Sequence, residues 1–370
     1  MNKLGFGFLR LPRENEADEN SVDLEKAKAL VDRFMELGGR YFDTAYTYLN
    51  GNSERAIREA LVERYPREAF LLADKLPSWK LQKEEDCERF FREELARCGV
   101  EYFDYYLLHG LDQDNYALCE RVGAFEFIER IKSEGRARKI GFSYHDSPAL
   151  LDEILTKHPG IEFVQLQINY LDWESVTIQA RECYETAVRH GKRVLVMEPV
   201  KGGSLAKLPE EAENVLRGVH AQESMAAWAV RFASSLENVD VVLSGMNTVE
   251  QIEDNMRDFA PLTDCEYEAL ERAAGIIRRN TAVPCTACGY CTEGCPKKIA
   301  IPRYFALYNE YSRSPKELWK MEYLYRDIAA QRGKASECIA CGACERACPQ
   351  KIGIIENLKE VRSVFEPDAQ

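Results

Sequence analysis

Eight cysteines after residue 284 form two runs with the same spacing. The first run is Cys285-x-x-Cys288-x-x-Cys291-x-x-x-Cys295-Pro296, and the second is Cys338-x-x-Cys341-x-x-Cys344-x-x-x-Cys348-Pro349. Thiolates spaced by three residues can hold three corners of one [4Fe–4S] cluster, and the cysteine before proline then reaches the other cluster. The runs therefore predict two clusters, one held by Cys285, Cys288, Cys291 and Cys348, and the other by Cys338, Cys341, Cys344 and Cys295.

Two structural zinc sites are the alternative, because paired Cys-x-x-Cys motifs also suit tetrahedral zinc. Zinc needs only two such pairs, so it leaves the third cysteine, the x-x-x spacing and the proline of each run unexplained. The repeated pattern favours iron–sulfur clusters over zinc.

A second group of residues with catalytic chemistry lies in the first third of the chain. Asp43 and Tyr48 follow one short apolar run, Lys75 ends the next, and His109 ends a third. A tyrosine with a pKa near ~10 is a poor acid or base at neutral pH. An adjacent ammonium favours its phenolate, a carboxylate keeps that lysine charged, and a histidine could hydrogen-bond a carbonyl oxygen. The same spacing fits equally well a buried Asp43–Lys75 ion pair with Tyr48 as a rim aromatic residue.

The composition describes a globular protein with a sizeable core: 370 residues, 45% hydrophobic and 30% charged, with a net charge of −13. This acidity argues against nucleic acid or an anionic membrane as the main partner. The first ten residues hold too short an apolar run for a secretory signal, and no stretch reaches about 18 apolar residues. The expected compartment is therefore the reducing cytoplasm, where clustered cysteines more often bind metal than form disulfides. The other five cysteines are expected to be small buried residues: Cys87, Cys98, Cys119, Cys183 and Cys265.

Before the cysteine runs, short strand-like runs alternate with longer amphipathic segments. Eight strands and about eight helices in roughly 260 residues indicate a parallel (β/α)8 TIM barrel, whose strands bring their carboxyl ends to one mouth. A doubly wound sheet is the alternative, but the Gly-x-Gly-x-x-Gly turn of that fold is absent after Gly5. The predicted strands are Leu4–Leu9, Arg40–Asp43, Ala69–Lys75, Phe103–His109, Lys139–Ser143, Phe163–Gln167, Val194–Glu198 and Val239–Ser244.

We expect two domains, a barrel in residues 1–280 and a cysteine-rich domain in residues 281–370. The 42 residues between the cysteine runs are rich in Tyr, Leu, Glu and Arg at helical spacing, which favours a small α-helical domain. Its aromatic residues are expected to form the core: Tyr304, Phe305, Tyr308, Tyr311, Trp319, Tyr323 and Tyr325.

The stretch Tyr41-Phe42-Asp43-Thr44-Ala45-x-x-Tyr48 resembles the Asp-Thr-Ala-x-x-Tyr signature of the aldo/keto reductase family. Lys75 and His109 match the third and fourth catalytic positions of that family, and the cysteine-rich segment resembles an α-helical two-cluster ferredoxin domain. The resemblance implies interconversion of a carbonyl and an alcohol. It assigns Tyr48 as general acid and base, tuned by Lys75, with Asp43 holding Lys75 and His109 orienting the carbonyl.

The resemblance also implies a nicotinamide cofactor, NADP or NAD, bound across the barrel mouth. Ser143 and Gln165 would hold the nicotinamide carboxamide, and Met197 falls where many members stack a tyrosine on the ring. Gln251 stands where members that prefer NADPH usually carry an arginine for the 2′-phosphate, so the choice of dinucleotide stays open. The other contacts implied for the pyrophosphate and the adenosine are Lys201, Gly203, Ser204, Gly245, Asn247 and Asn255.

These features predict an oxidoreductase that acts on a small carbonyl or alcohol and carries two [4Fe–4S] clusters, which exchange electrons with a protein partner. A nicotinamide gives up two electrons as a hydride, whereas each cluster accepts one, so a flavin is a candidate third cofactor. Two alternatives stay open. One is an electron-transfer or scaffold subunit whose barrel no longer performs efficient nicotinamide chemistry, and the other is a reductase whose clusters are purely structural.

Overall fold

The computed structural model describes residues 3–15, 18, 20–313 and 318–366. Among these residues, eight strands form a closed barrel in which every neighbouring pair is parallel, and β1 pairs with β8 to close it. The predicted (β/α)8 fold is therefore correct. The strands are β1 Leu4–Gly7, β2 Tyr41–Asp43, β3 Leu71–Pro77, β4 Phe103–Leu111, β5 Ala137–Tyr144, β6 Phe163–Gln167, β7 Arg193–Met197 and β8 Val239–Ser244.

Alternating residues of the strands fill the inside of the barrel. Tyr41, Tyr105 and Phe163 belong to one buried cluster with aliphatic residues of β7 and β8, and the Tyr41 and Tyr105 rings meet edge to face at 5.0 Å. Close packing leaves no room for a side chain at Gly141, where an added Cβ would lie 2.4 Å from the Phe163 carbonyl oxygen. This layer supports the polar residues at the strand ends above it.

Helices follow the strands and begin at recognisable caps. Asp23 caps the first helix and Ser147 caps the helix that starts at Pro148, each by accepting a backbone N–H. The amphipathic pattern from Ser175 to His190 predicts a longer helix than the one found, which begins at Ala180 because the residues before it form turns. The helices are α1 Leu24–Glu36, α2 Asn52–Ile57, α3 Glu85–Cys98, α4 Gln113–Arg121, α5 Ala124–Ser133, α6 Pro148–Lys157, α7 Ala180–Arg189, α8 Glu210–Arg217, α9 Met225–Ser235, α10 Val249–Asn255, α11 Asp264–Arg279, α12 Tyr290–Glu293, α13 Ile301–Arg313, α14 Leu318–Gln331, α15 Ala343–Arg346 and α16 Ile354–Phe365.

Contacts divide the chain into two compact units. The first unit comprises Met1–Ser175, Gln179–Val200 and Ala226–Leu262, and the second comprises Val176–Ile178, Lys201–Met225 and Thr263–Gln370. The second unit thus contains the loop after β7 as well as the cysteine runs. No helix among the described residues is both long and apolar enough to span a membrane.

The second unit has a core of its own, built from α13, α14 and α16 around the cysteines. Tyr304 is fully buried, and the rings of Tyr325 and Phe365 stack at 5.2 Å. The expectation of a wholly buried aromatic set is wrong for Trp319 and Tyr323, which are 66% and 73% exposed because they lie on the outer side of α14. Among the five isolated cysteines, Cys265 is likewise exposed, whereas Cys87, Cys98, Cys119 and Cys183 are buried.

Candidate active site and cysteine cavities

Three neighbouring strands bring the predicted catalytic residues to one end of the barrel. Asp43 ends β2, Lys75 lies near the end of β3, and His109 lies near the end of β4, while Tyr48 begins a short turn after β2. The Lys75 ammonium is 2.6 Å from Asp43 Oδ1 and 2.6 Å from the Thr44 carbonyl oxygen. It also lies 4.8 Å from the centroid of the Tyr48 ring. The structure therefore brings all four predicted residues together, since the Tyr48 and His109 rings are 5.7 Å apart.

Burial determines the electrostatics of this group. Lys75 is fully buried, Asp43 is 3% exposed and His109 is 5% exposed. Burial raises the pKa of Asp43 from its usual range, and the Lys75 charge opposes this rise. Burial lowers the pKa of His109 well below its usual value, and the positive charge of Lys75 and the neighbouring His145 lower it further. His109 is therefore a neutral imidazole at physiological pH.

The neutral His109 is placed to donate or accept a hydrogen bond. Its Nδ1 atom is buried and has no partner among the described residues. The Trp79 ring packs against the imidazole at 5.0 Å and is 41% exposed, so Trp79 lies at the rim of the site.

Ser143 and Gln165 are direct neighbours on β5 and β6, and both are buried. Ser143 Oγ accepts the Gly110 N–H at 2.7 Å, and Gln165 Nε2 lies 3.4 Å from Met197 Sδ. Gln165 Oε1 is buried without a partner among the described residues. A carboxamide group would supply the donor that this oxygen lacks, so the pair fits the nicotinamide end of a dinucleotide.

The residues predicted to surround the adenosine lie at the end of β8 and on α10. Gly245, Asn247 and Gln251 are exposed, and the Asn247 N–H donates to Gln251 Oε1 at 2.8 Å. Asn255 is buried and donates to Ser244 Oγ at 3.1 Å. These four residues thus share one edge of the barrel.

The residues predicted to cradle the pyrophosphate belong to the second unit. Gly203 and Ser204 are exposed in a short 3-10 turn, whereas Lys201 is 3% exposed. The Lys201 ammonium donates to Gln350 Oε1 at 3.0 Å.

The eight clustered cysteines line two cavities in the second unit. Cys285, Cys288, Cys291 and Cys348 line the first cavity, together with Gln350. Cys295, Cys338, Cys341 and Cys344 line the second cavity. Each cavity thus combines three cysteines of one run with the fourth cysteine of the other, as the spacing predicts.

The chemistry of the first cavity fits a bound iron cluster. Burial raises the pKa of Cys291, and the neighbouring thiols of Cys288 and Cys285 raise it further. Thiolates that lie close together repel one another unless cations balance their charge. Iron supplies that charge, and the apolar residues Ile301, Phe305 and Ile354 complete the cavity wall.

The second cavity lies closer to solvent. Cys341 is exposed, and Ile339, which also lines this cavity, is 57% exposed. In the first cavity each cysteine is buried or half-buried. The second cavity is therefore the more accessible of the two to a partner molecule.

Two clusters of polar side chains were not predicted from the sequence. Glu54 of α2, Asp74 of β3 and Cys98 of α3 are fully buried, with their polar atoms within 4.8 Å of one another. Burial raises the pKa of Glu54 to about 9 and that of Asp74 to about 7. At the end of β6, Asn169 donates to Asp172 Oδ2 at 2.8 Å. The only signal for either group was a polar residue next to an apolar run, which many surface positions share.

Comparison with known proteins places both parts of the chain. The model of the aldo/keto reductase family matches residues 3–274, and that of the 4Fe-4S dicluster domain matches residues 284–352. An uncharacterized oxidoreductase of Bacillus subtilis is 27% identical, over 73% of this chain and 92% of its own. An uncharacterized oxidoreductase of Schizosaccharomyces pombe is 26% identical, over 70% of this chain and 81% of its own.

Solved structures share the barrel fold. An aldo-keto reductase from Bacillus halodurans, in its holo form, matches with a TM-score of 0.60 and 24% identity over 73% of this chain and 91% of its own. One from Klebsiella pneumoniae, in complex with NADPH, matches with a TM-score of 0.57 and 18% identity over 73% of this chain and 90% of its own. With its closed parallel barrel and a family model matched across most of its length, the chain belongs to the aldo/keto reductase family and carries a 4Fe-4S dicluster domain.

Proposed function

We propose that this chain is an oxidoreductase that interconverts a small carbonyl and an alcohol with NADP or NAD, and that its two [4Fe–4S] clusters transfer electrons. The buried Lys75 carries the proposal, because its ammonium lies 2.6 Å from Asp43 Oδ1 and 4.8 Å from the centroid of the Tyr48 ring. A tyrosine next to a buried cation can act as an acid and as a base.

In the direction of carbonyl reduction, Tyr48 donates its phenolic proton to the carbonyl oxygen. Lys75 stabilises the phenolate that remains, and Asp43 keeps the ammonium charged and in place. The neutral imidazole of His109 hydrogen-bonds the carbonyl oxygen and orients it. In the direction of alcohol oxidation, the phenolate of Tyr48 accepts the proton instead.

A bound reduced nicotinamide supplies the hydride for this reaction. Gln165 and Ser143 would orient its carboxamide, and the NADPH bound by the Klebsiella pneumoniae relative supports this assignment. Gln251 has a neutral amide at the position where an arginine would favour the 2′-phosphate of NADPH. Activity should therefore be assayed with both NADPH and NADH.

The cysteine cavities support two clusters, because each gathers four cysteines from both runs. Each bound cluster supplies one-electron transfer. Since a hydride carries two electrons, exchange between the barrel site and the clusters requires a carrier that accepts two electrons and releases them singly. A flavin has this chemistry.

A protein partner would exchange electrons at the second cavity, where Cys341 and Ile339 are exposed. Lys297 lines the same cavity and is exposed. Residues 281–370 contain 13 Lys and Arg and 11 Asp and Glu, whereas the whole chain contains 49 and 62. This less acidic part of the chain fits an acidic electron-carrier protein better than the barrel does.

Transfer of a deuterium label tests the proposed reaction. The anaerobically purified protein is incubated with a panel of small carbonyls and NADPH or NADH deuterated at the nicotinamide C4 position. We expect deuterium at the carbinol carbon of the alcohol product with at least one carbonyl. Alcohol formation without the label would contradict hydride transfer from the dinucleotide. Binding of dinucleotide without any turnover across the panel would instead support a barrel that serves as an electron-transfer or scaffold subunit.

A further inference from the structure

The loop after β7 connects a residue predicted to bind the dinucleotide with a residue that lines the first cysteine cavity. Its first residue, Lys201, is implied by the family resemblance to bind a dinucleotide pyrophosphate. In the structure its ammonium donates to the side chain of Gln350, which follows Cys348 by two residues and lines the first cysteine cavity. A buried positive charge therefore lies one side chain away from the predicted position of the first cluster.

The backbone holds this charge in place. Lys201 has φ = 48°, in the left-handed region that non-glycine residues rarely adopt. Gly202 and Gly203, with φ = 65° and 97°, continue the turn, and Ser204 Oγ donates to the Lys201 carbonyl oxygen at 2.8 Å. Such a conformation persists only where surrounding contacts impose it, and it is often found at functional sites.

The charge has a predictable effect on a bound cluster. Reduction adds one negative charge to a cluster, so a nearby cation stabilises the reduced state and raises the reduction potential. Both Lys201 and Gln350 are buried, at 3% and 6% exposure, which limits the screening of this interaction by water and salt.

We propose that the Lys201–Gln350 pair couples dinucleotide binding to the redox state of the first cluster. The proposal rests on the proposed function, because it requires a dinucleotide pyrophosphate that competes with Gln350 for the Lys201 ammonium. Binding of the pyrophosphate neutralises or withdraws that charge and lowers the cluster potential. By thermodynamic reciprocity, reduction of the cluster weakens dinucleotide binding by the same factor.

Redox titration of the anaerobically purified full-length protein, followed by electron paramagnetic resonance, tests this coupling. The ligands are ADP-ribose and 2′-phospho-ADP-ribose, which carry the pyrophosphate but no redox-active nicotinamide. We expect a saturating ligand to lower the reduced-to-oxidised ratio of the first cluster about tenfold at a fixed potential, which is ~59 mV for a one-electron couple. Lys201→Met should lower the potential without ligand and abolish the response to ligand. Lys201→Arg should retain both properties, because it keeps the charge.

Lys207 provides the matched control, because it is an exposed lysine of the same loop. Lys207→Met should titrate like the wild-type protein. Wild-type potential and response in Lys201→Met would overturn the inference. Ligand affinity is measured separately by calorimetry, so that a failure of the proposed coupling can be distinguished from a failure of the proposed nicotinamide function. Ligand binding without a shift in potential contradicts the coupling alone, whereas no binding by the wild-type protein contradicts the nicotinamide function.

Discussion

At the barrel mouth, the buried ammonium of Lys75 is balanced by groups of the chain itself. It donates hydrogen bonds to Asp43 and to the Thr44 carbonyl oxygen. In the cysteine cavities, four cysteine side chains meet, and in the first cavity burial raises the pKa of Cys291. The charges of the first site are therefore balanced by the chain's own residues, whereas four thiolates in the second would depend on iron for their charge balance. Substitution of one catalytic residue should therefore affect only its own site in the barrel, whereas substitution of one cysteine ligand should affect the folding of the second unit.

The largest effect should follow removal of a cysteine ligand. In Cys348→Ala, we expect iron to fall from about eight to about four atoms per chain, because the first cluster is lost. The core of the second unit should then loosen, since metal binding and folding are coupled, while the barrel retains its helical circular dichroism. Iron analysis and urea unfolding would measure both effects.

Cys265→Ala is the control for that experiment, because Cys265 is exposed and lies outside the cysteine runs. It should keep all its iron. Equal iron in Cys348→Ala and the wild-type protein would contradict the role of Cys348 as a cluster ligand.

In the barrel, Tyr48→Phe should affect activity and leave the clusters intact. Removal of a general acid and base lowers kcat/KM by roughly 10²–10⁴-fold. Tyr46→Phe is a matched control in the same segment, since the Tyr46 hydroxyl donates to Glu93 instead. Steady-state kinetics with the substrate found by deuterium transfer measure this effect. A loss of only a few-fold in kcat/KM for Tyr48→Phe would show that Tyr48 is not the general acid and base.

Lys75→Met should destabilise the barrel as well as inactivate it. It leaves the Asp43 carboxylate buried without its cation, which typically costs about 3–5 kcal/mol. The double variant Lys75→Met/Asp43→Asn should recover much of the free energy of unfolding but none of the activity. If the double variant unfolds as readily as the single one, the buried ion pair is not the source of the loss.

The last expected effect concerns pH and the buried carboxyl group of Glu54. Because burial raises the pKa of Glu54 to about 9, the folded protein keeps a proton that the unfolded chain releases above its usual pKa of 4.5. The free energy of unfolding therefore falls as pH rises between these two values, by at most about 1.4 kcal/mol per pH unit for one group. Glu54→Gln should flatten this dependence in urea unfolding from pH 5 to pH 9.

The exposed Glu59 lies just after α2 and supplies a comparison. Glu59→Gln should leave the slope unchanged. An unchanged slope in Glu54→Gln would show that Glu54 is ionised in the folded protein.

The two regions also differ in how far the sequence predicts them. The strands Phe163–Gln167 and Val239–Ser244 have the bounds that their apolar runs predict, whereas the other six begin or end one or two residues away, because backbone pairing with the neighbouring strand and not polarity alone sets where a strand ends. The cysteine spacing predicts the exchange of fourth ligands between the cavities. The bond between Lys201 and Gln350 joins residues 149 positions apart, so no local pattern predicts it.

The cluster of Glu54, Asp74 and Cys98 could not be predicted from the sequence either, because its members come from α2, β3 and α3. Each of them occupies an ordinary position on an amphipathic helix or a strand. Only the packing of these elements reveals that the three side chains share one buried volume.

We propose that one chain combines a hydride-transfer site with one-electron clusters. The visible spectrum of the anaerobically purified protein tests this claim most directly, with iron and flavin quantified in the same sample. We expect the broad cluster absorbance to bleach with a one-electron donor such as reduced methyl viologen, and with NADPH or NADH only in samples that contain flavin. Absorbance that neither donor bleaches would contradict the account and assign the clusters a purely structural role.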